Sequence, residues 1–267
     1  MKIATWNING IKARIDGLVD WLKEAEPDIA CLQEIKSVDE NFPHQPFENL
    51  GYVVKTHGQK GFNGVAIVSK TEPDEINIGL PQAGGGDASD DQARFIEGVF
   101  CVPGGVVRVV SLYLPNGNPV DTDKFSYKLA WMDRLEQWSR DRLALEEPLV
   151  LAGDYNVIPE PFDCYDPAAW EGDALFREES RNAFRRLENL GLTDAVRATN
   201  DASGLYTFWD YQAGAWQKNN GIRIDHLMLS PEAANSLQST SIEKHVRAWE
   251  KPSDHVPVVI QLDIGTS

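Results

Sequence analysis

Apolar residues along this chain fall into short runs separated by polar, Gly- and Pro-containing segments. Runs of buried-strand length lie at 2–6 (KIATW), 28–33 (DIACLQ), 64–69 (GVAIVS), 106–114 (VVRVVSLYL), 149–153 (LVLAG), 222–230 (IRIDHLMLS) and 256–262 (VPVVIQL). Elsewhere apolar residues recur at spacings of three and four, which is one face of a helix. Ile11, Ile15, Leu18, Leu22 and Ala25 make such a face, stopped by Pro27. Phe125, Leu129, Met132, Leu135 and Trp138 make a second within 121–145. Ala183, Leu187 and Leu190 make a third, with Gly191 placed to end it. Many strands and few long helices predict an α/β chain, with two sheets packed face to face and helices outside, as a single domain over 1–267. The segment 79–92, GLPQAGGGDASDDQ, is rich in Gly and Asp and predicts a mobile surface loop.

Composition narrows the class of protein. With 42% hydrophobic and 25% charged residues, the chain reads as soluble and globular. No apolar run reaches the length of a membrane span, and MKIATWNING lacks a signal-peptide pattern. The scattered Cys31, Cys101 and Cys164 fit neither a disulfide framework nor a zinc site. A cytoplasmic protein with no membrane association is expected, and nothing requires more than a monomer. The formal net charge of −16 argues against a generally basic nucleic-acid binder. Binding depends on the field at one face, however, and the acid excess can sit elsewhere.

The candidate chemistry lies at the ends of the strand-like runs. Asn7 follows KIATW and Glu34 follows DIACLQ. Tyr113 and Asn116 sit in SLYLPNG, Asp154 and Asn156 in GDYN, Asp225 in IRIDHLML, and Asp254 with His255 in PSDHVPVV. Singly, each has a plain structural role as cap, turn former or core residue. Together they are several carboxylates at the ends of buried strands, which need a cation or shared protons. If the strand runs on through Asn156, side-chain alternation aims Asp154 and Asn156 at one point. An oxygen-rich donor set suits Mg²⁺ or Mn²⁺ rather than zinc, and such sites serve phosphate-ester chemistry. His255 is a candidate proton-handling group, with a carboxylate such as Asp225 fixing its tautomer.

These motifs, in this order from Lys2 to about Leu262, resemble the exonuclease III family of Mg²⁺-dependent abasic-site endonucleases of DNA base-excision repair, within the endonuclease/exonuclease/phosphatase superfamily. The resemblance implies a four-layered α/β sandwich. It implies metal ligation by Asn7, Glu34, Asp154, Asn156, Asp254 and His255, with Glu34 the principal ligand. It implies that Asp154 orients or deprotonates the attacking water, with Asn156 beside it at the scissile phosphate. His255 would act at that phosphate, oriented by Asp225, and Tyr113 would meet the phosphate or the leaving 3′ oxygen. The implied substrate is double-stranded DNA with an abasic site or a 3′ end. Phe208 and Trp209 of YTFWDY would line a pocket for the extruded sugar, faced by Ile222 and Ile224. Asn116, Lys12 and Lys128 would contact DNA phosphates. Ile222 stands where some relatives carry an aromatic, and Asp87, Asp90 and Asp91 would weaken DNA entry if their loop borders the groove. A neutral-to-basic rim around an acidic site follows. The competing reading is a superfamily phosphodiesterase or phosphatase acting on a non-DNA substrate, of the sphingomyelinase or inositol-phosphate phosphatase kind.

Overall fold

All of the apolar runs read as strands do contain one. The computed structural model describes residues 1–81 and 90–265. Twelve strands run in chain order: β1 (Lys2–Asn7), β2 (Ile29–Gln33), β3 (Val53–His57), β4 (Val65–Ser69), β5 (Glu75–Ile78), β6 (Phe95–Val102), β7 (Gly105–Tyr113), β8 (Leu149–Asp154), β9 (Thr193–Asp194), β10 (Asp225–Leu229), β11 (Leu237–Ile242) and β12 (Val258–Leu262). They form two six-stranded mixed sheets, ordered β11-β12-β1-β2-β4-β3 and β5-β6-β7-β8-β10-β9. Ile3, Ile29, Cys31 and Ile67 of the first sheet meet Ile96, Val109, Val150 and Leu227 of the second in one buried core between the sheets.

Helix Ile11–Ala25 covers the outer face of the first sheet, burying Leu18 and Trp21 with Trp6 and Ala30. Helices Asp123–Leu143 and Glu178–Asn189 cover the second, burying Trp131, Leu135, Phe184 and Leu187 against Val110 and Leu151. The order helix, sheet, sheet, helix is the four-layered sandwich. Local signals bound the long helices. Glu26 turns left-handed (φ 45°) ahead of Pro27, and Gly191 (φ 111°) follows the third helix. Thr122 caps the second helix at its start.

The topology decides where polar groups gather. β1 and β2 are parallel neighbours joined by the first long helix, and β7 and β8 are parallel neighbours joined by the second. Their carboxyl ends lie at one edge of the sandwich, the usual place for ligand-binding groups in such units. Antiparallel β10 and β12 begin at that same edge, because Asp225 pairs with Asp154 and Thr5 with Val258. Gly153 is needed for the approach of β7 to β8: a Cβ there would lie 2.1 Å from the Leu112 carbonyl oxygen.

Strands β3, β5, β6, β9 and β11 were not marked by apolar runs. Four of them, β3, β5, β9 and β11, are the edge strands of the two sheets, and Ile78 apart, their exposed residues are polar. β6 is internal, but Glu97 and Gly98 interrupt its apolar run. Glu97 is wholly buried there, held by Arg108 and Asn77. Residues 82–89 of the acidic loop, including Asp87, lie outside the described residues. Asp90 is described, and it accepts hydrogen bonds from Tyr127 and Arg134.

Candidate active site

The site begins with two strand ends in the first sheet. Asn7 closes β1 and is buried. Its Nδ2 donates to Glu34 Oε1 and to Asp154 Oδ2, both at 2.9 Å. Its Oδ1 accepts the Asn9 N–H at 3.0 Å. Asn7 therefore links the two carboxylates through its donor side, and its oxygen is already engaged. Glu34 follows β2 in a left-handed conformation (φ 51°), with Lys36 Nζ 2.8 Å from Oε2. Burial opposes the charge of Glu34, but hydrogen bonds from Asn7 and Lys36 outweigh it and hold the carboxyl below its ordinary range.

The second sheet supplies the rest. Asp154 ends β8, buried, and its Oδ1 accepts the Asn156 N–H at 2.9 Å. The strand stops there, and Asn156 is left-handed (φ 48°), so strand alternation is not what brings the pair together. A turn closed by the Asp154 carboxylate does so. Both polar atoms of the Asn156 amide engage the segment after β7: Nδ2 donates to Leu114 O at 2.9 Å, and Oδ1 accepts from Asn116 at 3.2 Å. Tyr113 ends β7 beside Glu34 and Asp154. Burial and those two carboxylates push its hydroxyl well above the ordinary range, so it keeps its proton.

His255 Nδ1 lies 2.8 Å from Asp225 Oδ2, and its Nε2 is 3.7 Å from Asp154 Oδ2. Burial alone would lower this imidazole. The carboxylates of Asp225 and Asp154 overcome that and raise it, so His255 holds its proton. Burial raises the Asp154 carboxyl, Asp225 adds to the effect and His255 opposes it. Asp154 is thus a carboxylate held near its protonation point, facing a histidine too distant for a direct hydrogen bond. Asp225 Oδ1 is buried without a hydrogen-bond partner. Ligand atoms of Asp154, Asp225 and His255 all lie within 4.8 Å of one another. Half-buried Asp254 stands outside that group, accepting from Asn9 and Ser253.

Several expected substrate contacts are placed otherwise. Lys128 is fully buried, its Nζ donating to Asn116 O (3.1 Å) and Asn156 O (2.6 Å), so it does not reach a phosphate at the surface. Burial lowers it to about 7. It ties together the backbone of the two asparagines. Trp209 is wholly buried, packed edge-on to Trp216 with its Nε1 on Asn219, and is core rather than pocket lining. Ile222 and Ile224 are also buried, among Phe125, Ile158 and Leu175. Ile222 pairs with Phe208 through an isolated bridge. Phe208 alone of that set is half-exposed, edge-on to His255 with centroids 5.0 Å apart. Lys12 and Asn116 are exposed.

Sequence reasoning missed the residues that hold this set in place. Ser253 Oγ donates to Asn7 O at 2.6 Å and accepts the His255 N–H at 3.2 Å, joining β1 to the histidine loop. Thr207 Oγ1 accepts the N–H groups of Ile224 and Asp225. Arg94 stacks over the Tyr113 ring, 4.9 Å from its centroid, and donates to Tyr113 O. Ser253 and Thr207 lie within PSDHVPVV and YTFWDY, but nothing local marks either one or Arg94, because their partners come from distant segments.

A carboxylate-held histidine, a buried carboxylate beside it and amide donors at the strand ends define a phosphate-ester hydrolase built on a two-sheet sandwich. The family model described as the Endonuclease/Exonuclease/phosphatase family matches residues 4–255. Exodeoxyribonuclease III of Haemophilus influenzae is 35% identical over 266 residues, spanning 97% of this chain and 98% of that protein. Among solved structures, an AP endonuclease from Archaeoglobus fulgidus superimposes with a TM-score of 0.91 at 36% identity, covering 98% of this chain and 99% of that one. A 3′ phosphatase, NExo, from Neisseria bound to product DNA hairpin does so at 0.92 and 36%, with the same coverage. The chain belongs to the endonuclease/exonuclease/phosphatase family, and its full-length similarity to an exodeoxyribonuclease III places it in that branch. Among the described residues no helix is long and apolar enough to cross a membrane.

Proposed function

We propose that the chain is a DNA-repair nuclease. It hydrolyses phosphodiester bonds in duplex DNA on the 5′ side of abasic sites, with 3′→5′ exonuclease and 3′-phosphatase or 3′-phosphodiesterase activity. The observation that carries this reading is Asp154, set between the Asn7–Glu34 pair and the Asp225–His255 pair. The names of the similar proteins, which cut or bind DNA, favour it over a non-DNA phosphatase.

The site's chemistry fits a divalent cation, Mg²⁺ or Mn²⁺. Its donors are carboxylate oxygens, and the partnerless Asp225 Oδ1 is a buried acceptor that such an ion would satisfy. Glu34 and Asp154 would hold an ion beside Asn7; the Asp154, Asp225 and His255 group offers a second position only to an ion that displaces the His255 proton. A bound cation supplies positive charge to a phosphate oxygen and to the transition state. The chain's own groups do the remainder. Asp154 accepts a proton from water as the water oxygen bonds to phosphorus and the bond from phosphorus to the 3′ oxygen breaks, the 3′ oxyanion taking a proton from solvent. The place of Asp154 between Asn7, the Asn156 N–H and His255 suits it to that role. His255, kept protonated, donates from Nε2 to a phosphate oxygen, and Asp225 fixes which nitrogen faces the site. Tyr113 keeps its hydroxyl proton and can hydrogen-bond the leaving oxygen. The partner is double-stranded DNA, and one copy of the chain contains the whole site.

The test is incubation with a duplex carrying one tetrahydrofuran abasic-site analogue, in Mg²⁺ and in EDTA. Incision on the 5′ side, abolished by EDTA, is expected. An intact duplex under both conditions contradicts the reading.

A further inference from the structure

Phe62 is the most exposed large hydrophobic side chain among the described residues, at 71%. Single exposed apolar residues are ordinary on protein surfaces, so exposure alone says little. Its setting says more. Phe62 lies in the segment 57–64, HGQKGFNG, which runs into β4, and Val65 of β4 pairs with Gln33, the last residue of β2. The segment therefore stands at the same sandwich edge as Glu34.

The backbone around Phe62 is built to hold one shape. Gly61 (φ 77°), Asn63 (φ 48°) and Gly64 (φ 86°) are left-handed, which turns the chain sharply on both sides of the ring. Lys36 N–H donates to Asn63 O at 3.0 Å, Ile35 N–H to Gly64 O at 3.1 Å, and Gly64 N–H to Ala93 O at 2.8 Å. Asn63 is buried, and its Nδ2 donates to Gln59 and Gln92. Gln59 also accepts the Ala93 N–H, and Gln92 also accepts from Arg94, which stacks on Tyr113. At the segment's start, a Cβ on Gly58 would lie 2.3 Å from Ser37 O, so the segment is pressed against the chain that follows Lys36. One network joins the backbone on both sides of Phe62 to the segments that carry Glu34 and Tyr113.

The charges nearby suit an anionic polymer. Exposed Lys60 lies two residues before Phe62, and Lys36 and Arg94 flank the segment on its two sides. Of the acidic groups near it, Asp39 accepts from Thr56, and Asp90 is held by Tyr127 and Arg134. A solvent-facing aromatic ring on a pinned backbone, with cations nearby and a phosphate-ester site beside it, is an arrangement that can stack on a nucleobase while the cations meet the backbone.

We propose that Phe62 stacks on a DNA base whose face is uncovered next to the scissile phosphate, with Lys60 on the adjoining phosphate. The base is the one beside an abasic position or at a frayed 3′ end. This rests on the nuclease reading and adds a contact that fixes where along the strand the substrate sits. No covalent step is involved.

The test measures binding of a fluorescein-labelled duplex with one tetrahydrofuran site, with Ca²⁺ in place of Mg²⁺ to prevent cleavage. Phe62→Ala and Phe62→Leu should each raise Kd about tenfold, and Phe62→Trp should bind like wild type. The Leu variant separates ring stacking from mere apolarity. The salt dependence should be unchanged in the Phe62 variants and shallower by about one phosphate in Lys60→Ala. A 2-aminopurine placed beside the tetrahydrofuran site should be quenched by wild type and Phe62→Trp but not by Phe62→Ala. If wild type incises the duplex while the Ala and Leu variants bind as tightly as it does, the stacking assignment falls and the nuclease reading stands. If wild type neither incises nor binds, both fall.

Discussion

Asp154 is a buried carboxylate with its hydrogen bonds nearly all assigned. It accepts from the Asn7 side chain and the Asn156 backbone, and its free direction faces His255 across 3.7 Å. Glu34 is held differently, with Asn7 on one oxygen and the Lys36 ammonium on the other. A divalent cation binding Glu34 must take over from Lys36. Lys36→Ala should therefore tighten Mg²⁺ binding in the absence of DNA by a few-fold, the size of a partly exposed ion pair. Isothermal titration calorimetry measures it, and an unchanged or weaker affinity would show that Lys36 does not compete for that carboxylate. Lys128 carries the opposite lesson. Its charge suggested a phosphate contact, but its place inside the helix Asp123–Leu143 turns the ammonium inward onto two carbonyls.

At the scale of elements, the candidate catalytic side chains were legible because each interrupts or ends an apolar run with a group that such a run has no reason to carry. Asn7, Glu34, Tyr113, Asp154, Asp225 and His255 were found in that way, and the fold gathers them at one edge. Trp209 lies in the core and not at a pocket wall; local pattern does not distinguish a residue packed behind a wall from one lining it. Strand β6 was missed because Glu97 is buried, and its partners, Arg108 and Asn77, come from neighbouring strands. A second buried polar group was also invisible in the sequence. Arg223, in β10's approach, binds Asp163 and Asp194 at 2.6 Å each and touches His226 Nδ1 at 3.0 Å. Burial opposes charge on both carboxylates, but Arg223 outweighs it and holds them below their ordinary range. Burial and Arg223 push His226 down to about 4. Its folded value lies below its unfolded value, so stability is full above pH of about 6.5 and falls as pH drops toward 4. The loss from His226 should be on the order of 3 kcal/mol, and the carboxylates extend it below about pH 4. Melting temperatures between pH 7 and pH 4 should fall less steeply for His226→Gln than for wild type. Equal slopes would assign the acid sensitivity elsewhere.

For the whole molecule, the question is how a chain of net charge −16 meets DNA. Over the outer helices Asp133, Glu136, Glu160 and Glu179 are paired with Arg186, Arg140, Arg185 and Arg177, which leaves the net charge unchanged. Lys12, Lys36, Lys60 and Arg94 lie toward the strand-end edge instead. Duplex affinity should fall steeply with salt, with a log–log slope of roughly −3 to −5, as three to six phosphates displace counterions. Anisotropy titrations between 50 and 200 mM KCl (about a fourfold range) would give that slope, and a value near zero would mean that the cationic rim does not meet the backbone.

The central claim is that Asp154, with His255 held by Asp225, performs hydrolysis rather than shaping the fold. Single-turnover incision of the tetrahydrofuran duplex in Mg²⁺, at saturating protein, tests it most directly. Asp154→Asn and His255→Asn should each retain DNA binding and lose on the order of 10²- to 10⁴-fold in rate. Incision by either variant at the wild-type rate would contradict it.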